Sequence, residues 1–396
     1  MSTPALSRRF LKKQLALWAI LAVLSLLTLV SWPQFNRAYE SLLVLADINT
    51  AAAPSRLKAV TPQPKRTSVN YTVMGRSHRG DLYLPGEGLP GAGIVLVPGI
   101  VPEGKDDPRL VALAHTLARA RFAVLVPDMP GFRAMRVRPS DARAVADAFV
   151  FLVSRSDLAP KGRAGMVAFS YAVGLTVLAA LENDVRNKAR FVVGVGGYYD
   201  LTRVITFFTT GYFQENGQWR HIQPSPYGKW VFVDSSKDYL RNPQDRAILD
   251  AMVRIKLRDN RADISHLAPE LDPEGRAVYD LLTNTDPART PALIQPLPSE
   301  ILADMTRLTL ANKNLKHLKT RLMLIADRND NIIPYTESIA LSQAVSEGQA
   351  NLALVGSLMH VEPKGWRYFS WEFLSRDLPD FWRMYRVIYE LMEERG

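Results

Sequence analysis

The stretch VAFSYAVG, Val167–Gly174, sets the reading of this chain. It places one serine, Ser170, between an apolar run, AGMVAFS (164–170), and a run of helical character, YAVGLTVLAALE (171–182). A serine hydroxyl is a weak nucleophile until a neighbouring base takes its proton and a third group orients that base. It must also be presented without steric cover. A sharp strand-to-helix turn does this, and there the positions two before and two after the nucleophile lie close together, so both must be small. Here they are Ala168 and Ala172, where the usual pattern has glycine at both. Two readings of Ser170 follow: a nucleophile on an elbow, or a buried serine capping the next helix.

The flanking segments repeat one grammar. AGIVLVPG (92–99), FAVLVPD (122–128), FVVGVGG (191–197), RLMLIAD (321–327) and ANLALVG (350–356) are short apolar runs of the kind buried on both faces of a sheet. Helical patterns lie between them. Asp107 is placed to cap one, with Pro108 in its first turn and Leu110, Leu113, Ala114 and Leu117 on one face. Others start near Ser140 and Tyr335, and a last one spans about 379–394. SVNYTVMG and RGDLYLPG alternate as an antiparallel hairpin. Strands alternating with helices predict an α/β fold, a mostly parallel sheet with helices on both faces. Ligands then bind outside the carboxyl ends of the strands, where Ser170, Asp330 and His360 all fall.

A base that works near neutral pH is histidine. His115 lies in the helix after the first buried strand, His78 in the hairpin, His221 and His266 in a long insertion, and His317 at the wrong end of a strand. Only His360, in VGSLMHVEP (355–363), follows directly on a strand at its carboxyl end. The orienting acid comes from IADRNDNIIPY (325–335), which offers Asp327 and Asp330. Asp330 is preferred because the strand has run out into a loop there, whereas Asp327 ends the strand and can cap that loop. The oxyanion needs two backbone N–H groups, each worth about 3 kcal/mol of barrier. Tyr171 supplies one from the start of its helix. The loop VPGIVPEG (97–104) supplies the other, Ile100 before Val101, since Pro102 has no N–H. A plain glycine turn at Gly99 is the alternative reading of that loop.

With VLVPG (95–99), VLVPDMPGF (124–132), VAFSYAVG, DRNDNIIP (327–334) and SLMHVEP (357–363), the sequence resembles the α/β-hydrolase family over about residues 68–200 and 318–395. It departs from the family at Ala168 and Ala172, and at Pro98-Gly99, where the family often has His-Gly. The family's Gly-x-x-Asp-x-x-Val-Pro acid motif is matched by Asp327 through Pro334, which again favours Asp330. The resemblance implies acyl transfer to Ser170 and then to water through a covalent acyl-enzyme, with His360 shuttling the proton and Asp330 holding its tautomer. No metal and no organic cofactor is expected.

The rest of the chain sets context. Between Asp200 and about Lys319 lies an insertion far longer than a plain crossover needs, expected to fold as a mainly helical cap over Ser170. Its aromatics, VITFFTTGYF (204–213) with Trp219, Tyr227, Trp230, Phe232 and Tyr239, line a hydrophobic substrate pocket or form the cap's own core. Residues 15–32 hold no charge and are just long enough to span a bilayer as a helix. Arg8, Arg9, Lys12 and Lys13 precede them, which predicts a cytoplasmic N-terminus and a catalytic domain on the outer side. Secretion after signal cleavage is the alternative, although SWPQFNR (31–37) shows no cleavage pattern. The expected organisation is thus an anchor (1–32), a juxtamembrane linker (33–66), a core (67–200 and 319–396) and a cap (201–318). Among the 396 residues there is no cysteine, which excludes disulfides and thiol nucleophiles. The formal charge of +10 is scattered, a solvated surface rather than a nucleic-acid face. A hydrophobic ester or acyl compound is the expected substrate. An acyltransferase, amidase or peptidase, and a non-catalytic membrane-tethered binding module, are the alternatives.

Overall fold

Each apolar run read above becomes a strand, because a run apolar at nearly every position can bury both faces of its pleat, and only the last, Ala350–Val355 at the sheet edge, leaves Asn351 exposed. The computed structural model describes residues 32–259, 261–356, 358–359, 362–363 and 378–396. In chain order the strands are β1 (Lys65–Val73), β2 (Arg76–Leu84), β3 (Ala92–Leu96), β4 (Phe122–Pro127), β5 (Ala164–Phe169), β6 (Phe191–Val195), β7 (Tyr212–Glu215), β8 (Gln218–His221), β9 (Arg321–Asp327) and β10 (Ala350–Val355). Eight of them form one sheet in the order β1-β2-β4-β3-β5-β6-β9-β10. β2 runs antiparallel to both its neighbours, and the pairs from β4 to β10 are parallel. The β1–β2 turn is Met74-Gly75, both at positive φ (48° and 78°), which matches the twist of the two strands it joins.

Alternate side chains feed two apolar layers. Val95 of β3 and Leu125 of β4 face the layer that also holds Val145 and Phe149 of helix Ser140–Val153 and Leu175 of helix Tyr171–Leu181. Ile94, Leu96, Val124 and Val126 face the opposite layer, with Leu110 and Leu117 of helix Pro108–Arg119 and Ile388 and Leu391 of helix Leu378–Arg395. Asp107 caps the first of these through the Arg109 N–H at 2.8 Å, as the sequence predicts. Gly174 has a packing reason. A Cβ there would come 2.2 Å from the Tyr198 ring, so this helix can approach β6 and the loop after it only without a side chain.

Residues 32–50, within the stretch expected as a linker, are instead helical. This helix lays Val44 and Leu45 into the second layer and buries Asp47, which accepts from Thr116 Oγ1 at 2.5 Å and pairs with Lys58 Nζ at 2.8 Å. Arg37–Glu393 (2.9 Å) and Arg395–Glu40 tie it to the last helix. The expected anchor lies outside the described residues apart from Trp32. Among the described residues no helix is long and apolar enough to cross a membrane.

Asp147 fastens the hairpin to the core. Fully buried on helix Ser140–Val153, it accepts from Arg76 Nε and Nη2 (2.7 and 2.8 Å) and Arg143 Nε (3.0 Å), with His78 Nε2 at 2.9 Å. Burial would raise its pKa, but the Arg76, His78 and Arg143 contacts outweigh it and hold the carboxyl below the usual carboxylate range. Asp147→Asn is therefore expected to cost about 3 kcal/mol in urea unfolding at pH 7, the low end for a broken buried pair because the arginines can still reach water. A depressed native pKa stabilises above the unfolded value of about 3.9, and that contribution fades as pH falls through the native one. The gap between wild type and variant should thus close below about pH 4.

Candidate active site

Ser170 sits where β5 ends and helix Tyr171–Leu181 begins, with φ 55° and ψ −134°. A non-glycine residue in this region carries a strain of about 1–3 kcal/mol, which a fold retains only where its surroundings hold it. Two surroundings do so. Ser170 N–H donates to Val195 O on β6 at 2.8 Å, and Ala168 and Ala172, both fully buried, keep the turn narrow. The serine makes no side-chain cap on its helix, so the capping alternative does not hold. Its place at the carboxyl edge of the sheet matches the elbow reading.

Asp330 lies in the loop after β9 and is 2% exposed. Its Oδ1 accepts two backbone N–H groups, Ile332 at 2.8 Å and Ile333 at 3.0 Å, which fixes the carboxylate plane. Asp327 ends β9 and turns its Oδ1 to the Asn329 N–H at 2.7 Å, bracing the loop as expected of a strand-ending aspartate. His360 lies outside the described residues. The two short strands Leu358–Met359 and Glu362–Pro363, on either side of it in sequence, pair antiparallel. The other histidines are accounted for elsewhere. His115 packs edge-on against Tyr83, and burial, with Arg119 and Arg66 adding, lowers its pKa. His78 meets Asp147, His221 packs edge-on against Tyr212, His317 contacts Asn314, and His266 is exposed in the insertion.

The amide candidates separate on geometry. The Val101 N–H donates to Gly99 O at 3.1 Å, whereas the Ile100 N–H has no backbone acceptor among the described residues. Tyr171 is the first residue of its helix, where an N–H has no intrahelical partner. Ile100 and Tyr171 thus remain the pair suited to an oxyanion. The loop carrying Ile100 is braced from below, because Lys105 Nζ reaches the buried Asp81 at 2.9 Å and Asp81 also holds Arg66 and Ser68 on β1.

The segment expected as a cap, residues 201–318, is mainly helical, with helices Leu201–Thr210, Tyr227–Ser236, Pro243–Arg258, Pro273–Leu282 and Ser299–Leu308 and the β7–β8 hairpin. It is latched at two points beside Ser170. The Tyr227 hydroxyl donates to Ile100 O, and the Ser225 N–H donates to Asn331 O at 2.7 Å. One short cap segment therefore joins the loop carrying Ile100 to the loop carrying Asp330, a link no sequence pattern announces. The buried Glu337 sets the cap's root by accepting from the Tyr199 and Asp200 N–H groups at 3.0 and 2.7 Å.

A cavity of about 500 Å³ opens at Ser170, lined among the described residues by Ile100, Phe169, Tyr227, Asn331 and Ile332, and none of the five described histidines borders it. The cap aromatics divide. Tyr227 alone reaches this cavity, whereas Phe208, Phe232 and Tyr239 line a smaller one of about 80 Å³ with Tyr171 and Tyr198. Phe207 and Phe213 pack with Tyr335. The aromatic run is thus spread over two cavities and a packed cluster, and does not line one pocket at Ser170.

No protein-family model and no curated protein sequence matches the chain. Solved structures do. A Legionella pneumophila protein described as a hydrolase superposes with a TM-score of 0.50 at 12% identity, over 84% of this chain and 90% of that one. An acylaminoacyl peptidase of Pyrococcus horikoshii matches at 0.47 and 13%, over 85% of this chain and 42% of the other. The esterase domain of a Rhodothermus marinus protein matches at 0.44 and 12%, over 84% and 100%. The chain spans about two fifths of the length of the acylaminoacyl peptidases it matches. With the strand order and the strained serine at the end of β5, the likeness establishes the architecture: the chain has the α/β-hydrolase fold.

Proposed function

We propose that the protein is a membrane-anchored serine hydrolase that cleaves hydrophobic carboxylic esters. Ser170 attacks the acyl carbon, His360 takes the hydroxyl proton and returns it to the leaving alcohol, and Asp330 orients the imidazole. The N–H groups of Ile100 and Tyr171 receive the oxyanion, and water then releases the acid from the acyl-enzyme.

The observation that carries this reading is the backbone of Ser170, held at φ 55° and ψ −134° between a strand and a helix N-terminus. A packed, non-reacting serine has no use for that strain. His360 as base is supported by elimination and by its place in sequence shortly after Val355, the end of β10, which pairs with β9 beside the Asp330 loop. Anchoring is supported by the uncharged stretch 15–32 and by Trp32, Phe35 and Tyr39, aromatic residues exposed on the helix that follows it.

Full-length protein in lipid nanodiscs is expected to release p-nitrophenol from p-nitrophenyl butyrate, with hydroxylamine trapping the acyl group. Failure to turn over any activated ester above background would remove the proposal, and preferential transfer to added alcohols would move it to acyl transfer.

A further inference from the structure

The cavity at Ser170 does not stop beneath the cap. It continues away from it, along helix Pro108–Arg119, and ends against the N-terminal helix of residues 32–50. Beyond Phe169 its walls are Leu110, Ala112 and Leu113 on one side and Ile48 and Ala51 on the other. The wall from Leu110 to Thr116 covers about 9 Å of helix, at 1.5 Å per residue. The charged groups on this wall, Asp107 and Arg109, pair with each other at 2.7 Å at the end of the helix nearest its cap residue.

We infer that this extension is an acyl-chain groove, and that the enzyme's substrate is an ester of a long unbranched fatty acid. The inference rests on the hydrolase reading for its chemistry. The occupant follows from the lining: an apolar run, continuous with the nucleophile and bordered by residues of two helices, takes a flexible hydrocarbon chain. The alcohol then leaves toward the cap and Tyr227. The N-terminal helix thereby acquires a second task. Asp47, bonded to Thr116 and Lys58, pins its far end so that Ile48 and Ala51 close the groove. Ala112 becomes the chief determinant of chain length. It is half-buried, faces the cavity, and sits where a larger side chain can enter the groove without disturbing the core.

The test compares wild type with Ala112→Phe in full-length protein in nanodiscs. Each methylene that enters the groove raises kcat/KM by up to about fourfold, equivalent to 0.8 kcal/mol. Wild type should therefore favour p-nitrophenyl decanoate over the butyrate by at least about tenfold. Ala112→Phe should abolish that preference by lowering decanoate turnover. An unchanged preference in the variant, or no preference in the wild type, overturns the groove. A second arm needs no catalysis. A diazirine-bearing palmitate should photolabel peptides containing Ile48–Ala51 or Leu110–Leu113 in Ser170→Ala, and lose that label when Ala112→Phe is added. Label placed elsewhere overturns the groove. Labelling as expected, with no ester turnover by the wild type, retains the groove and removes the hydrolase reading instead.

Discussion

Ser170→Ala is expected to lower kcat for p-nitrophenyl esters by about 10⁵- to 10⁶-fold, the loss found when a triad nucleophile is removed. The size follows from the mechanism: without the hydroxyl there is no acyl-enzyme, and only oxyanion and binding contributions remain. Circular dichroism and urea unfolding should show the fold intact. A companion variant separates a strained nucleophile from a structural serine. Glycine adopts φ 55° without penalty, so Ser170→Gly is expected to be inactive yet about 1 kcal/mol more stable than wild type, after the entropic cost of glycine is subtracted from the relieved strain. A serine kept for packing would give the reverse, retained activity with lost stability.

Asp330→Asn is the second large effect. The carboxylate is fixed by the Ile332 and Ile333 N–H groups, and in the proposed mechanism it holds the imidazole tautomer and stabilises the imidazolium. Loss of that charge with the geometry retained is expected to cost about 10⁴-fold in kcat, or about 5.5 kcal/mol of barrier. Asp327→Asn is the control. Because Asp327 braces the loop through Asn329, its substitution should act on stability and leave kcat within about tenfold. A larger loss of kcat from Asp327→Asn than from Asp330→Asn would shift the acid's role to Asp327.

The residues that announced themselves in the sequence did so for physical reasons. Strands buried on both faces have no polar alternation to blur them, so β3, β4, β5, β6 and β9 were legible as apolar runs. Asp107-Pro108 declared a helix start by its own capping chemistry. Ala168 and Ala172 marked the elbow because only small residues fit a turn that narrow. What escaped was tertiary. Residues 32–50 follow an apolar segment and precede an alanine- and proline-containing stretch, and that neighbourhood hid the helical spacing of Ser41, Val44, Leu45 and Ile48. The β7–β8 hairpin did carry a local signal, Asn216-Gly217, both at positive φ (51° and 78°). It was masked by the aromatic composition around it. The latches from Ser225 and Tyr227 join loops far apart in the chain, and a backbone carbonyl as acceptor leaves no mark on the sequence.

The central claim is that folding makes Ser170 a nucleophile. Peptide mapping by mass spectrometry after treatment of the full-length protein with a fluorophosphonate tests it most directly. One stoichiometric adduct is expected, on Ser170, formed by the folded protein and not after unfolding in urea. A folded protein that carries no adduct at Ser170, or carries it on another serine, would show that Ser170 is not the nucleophile.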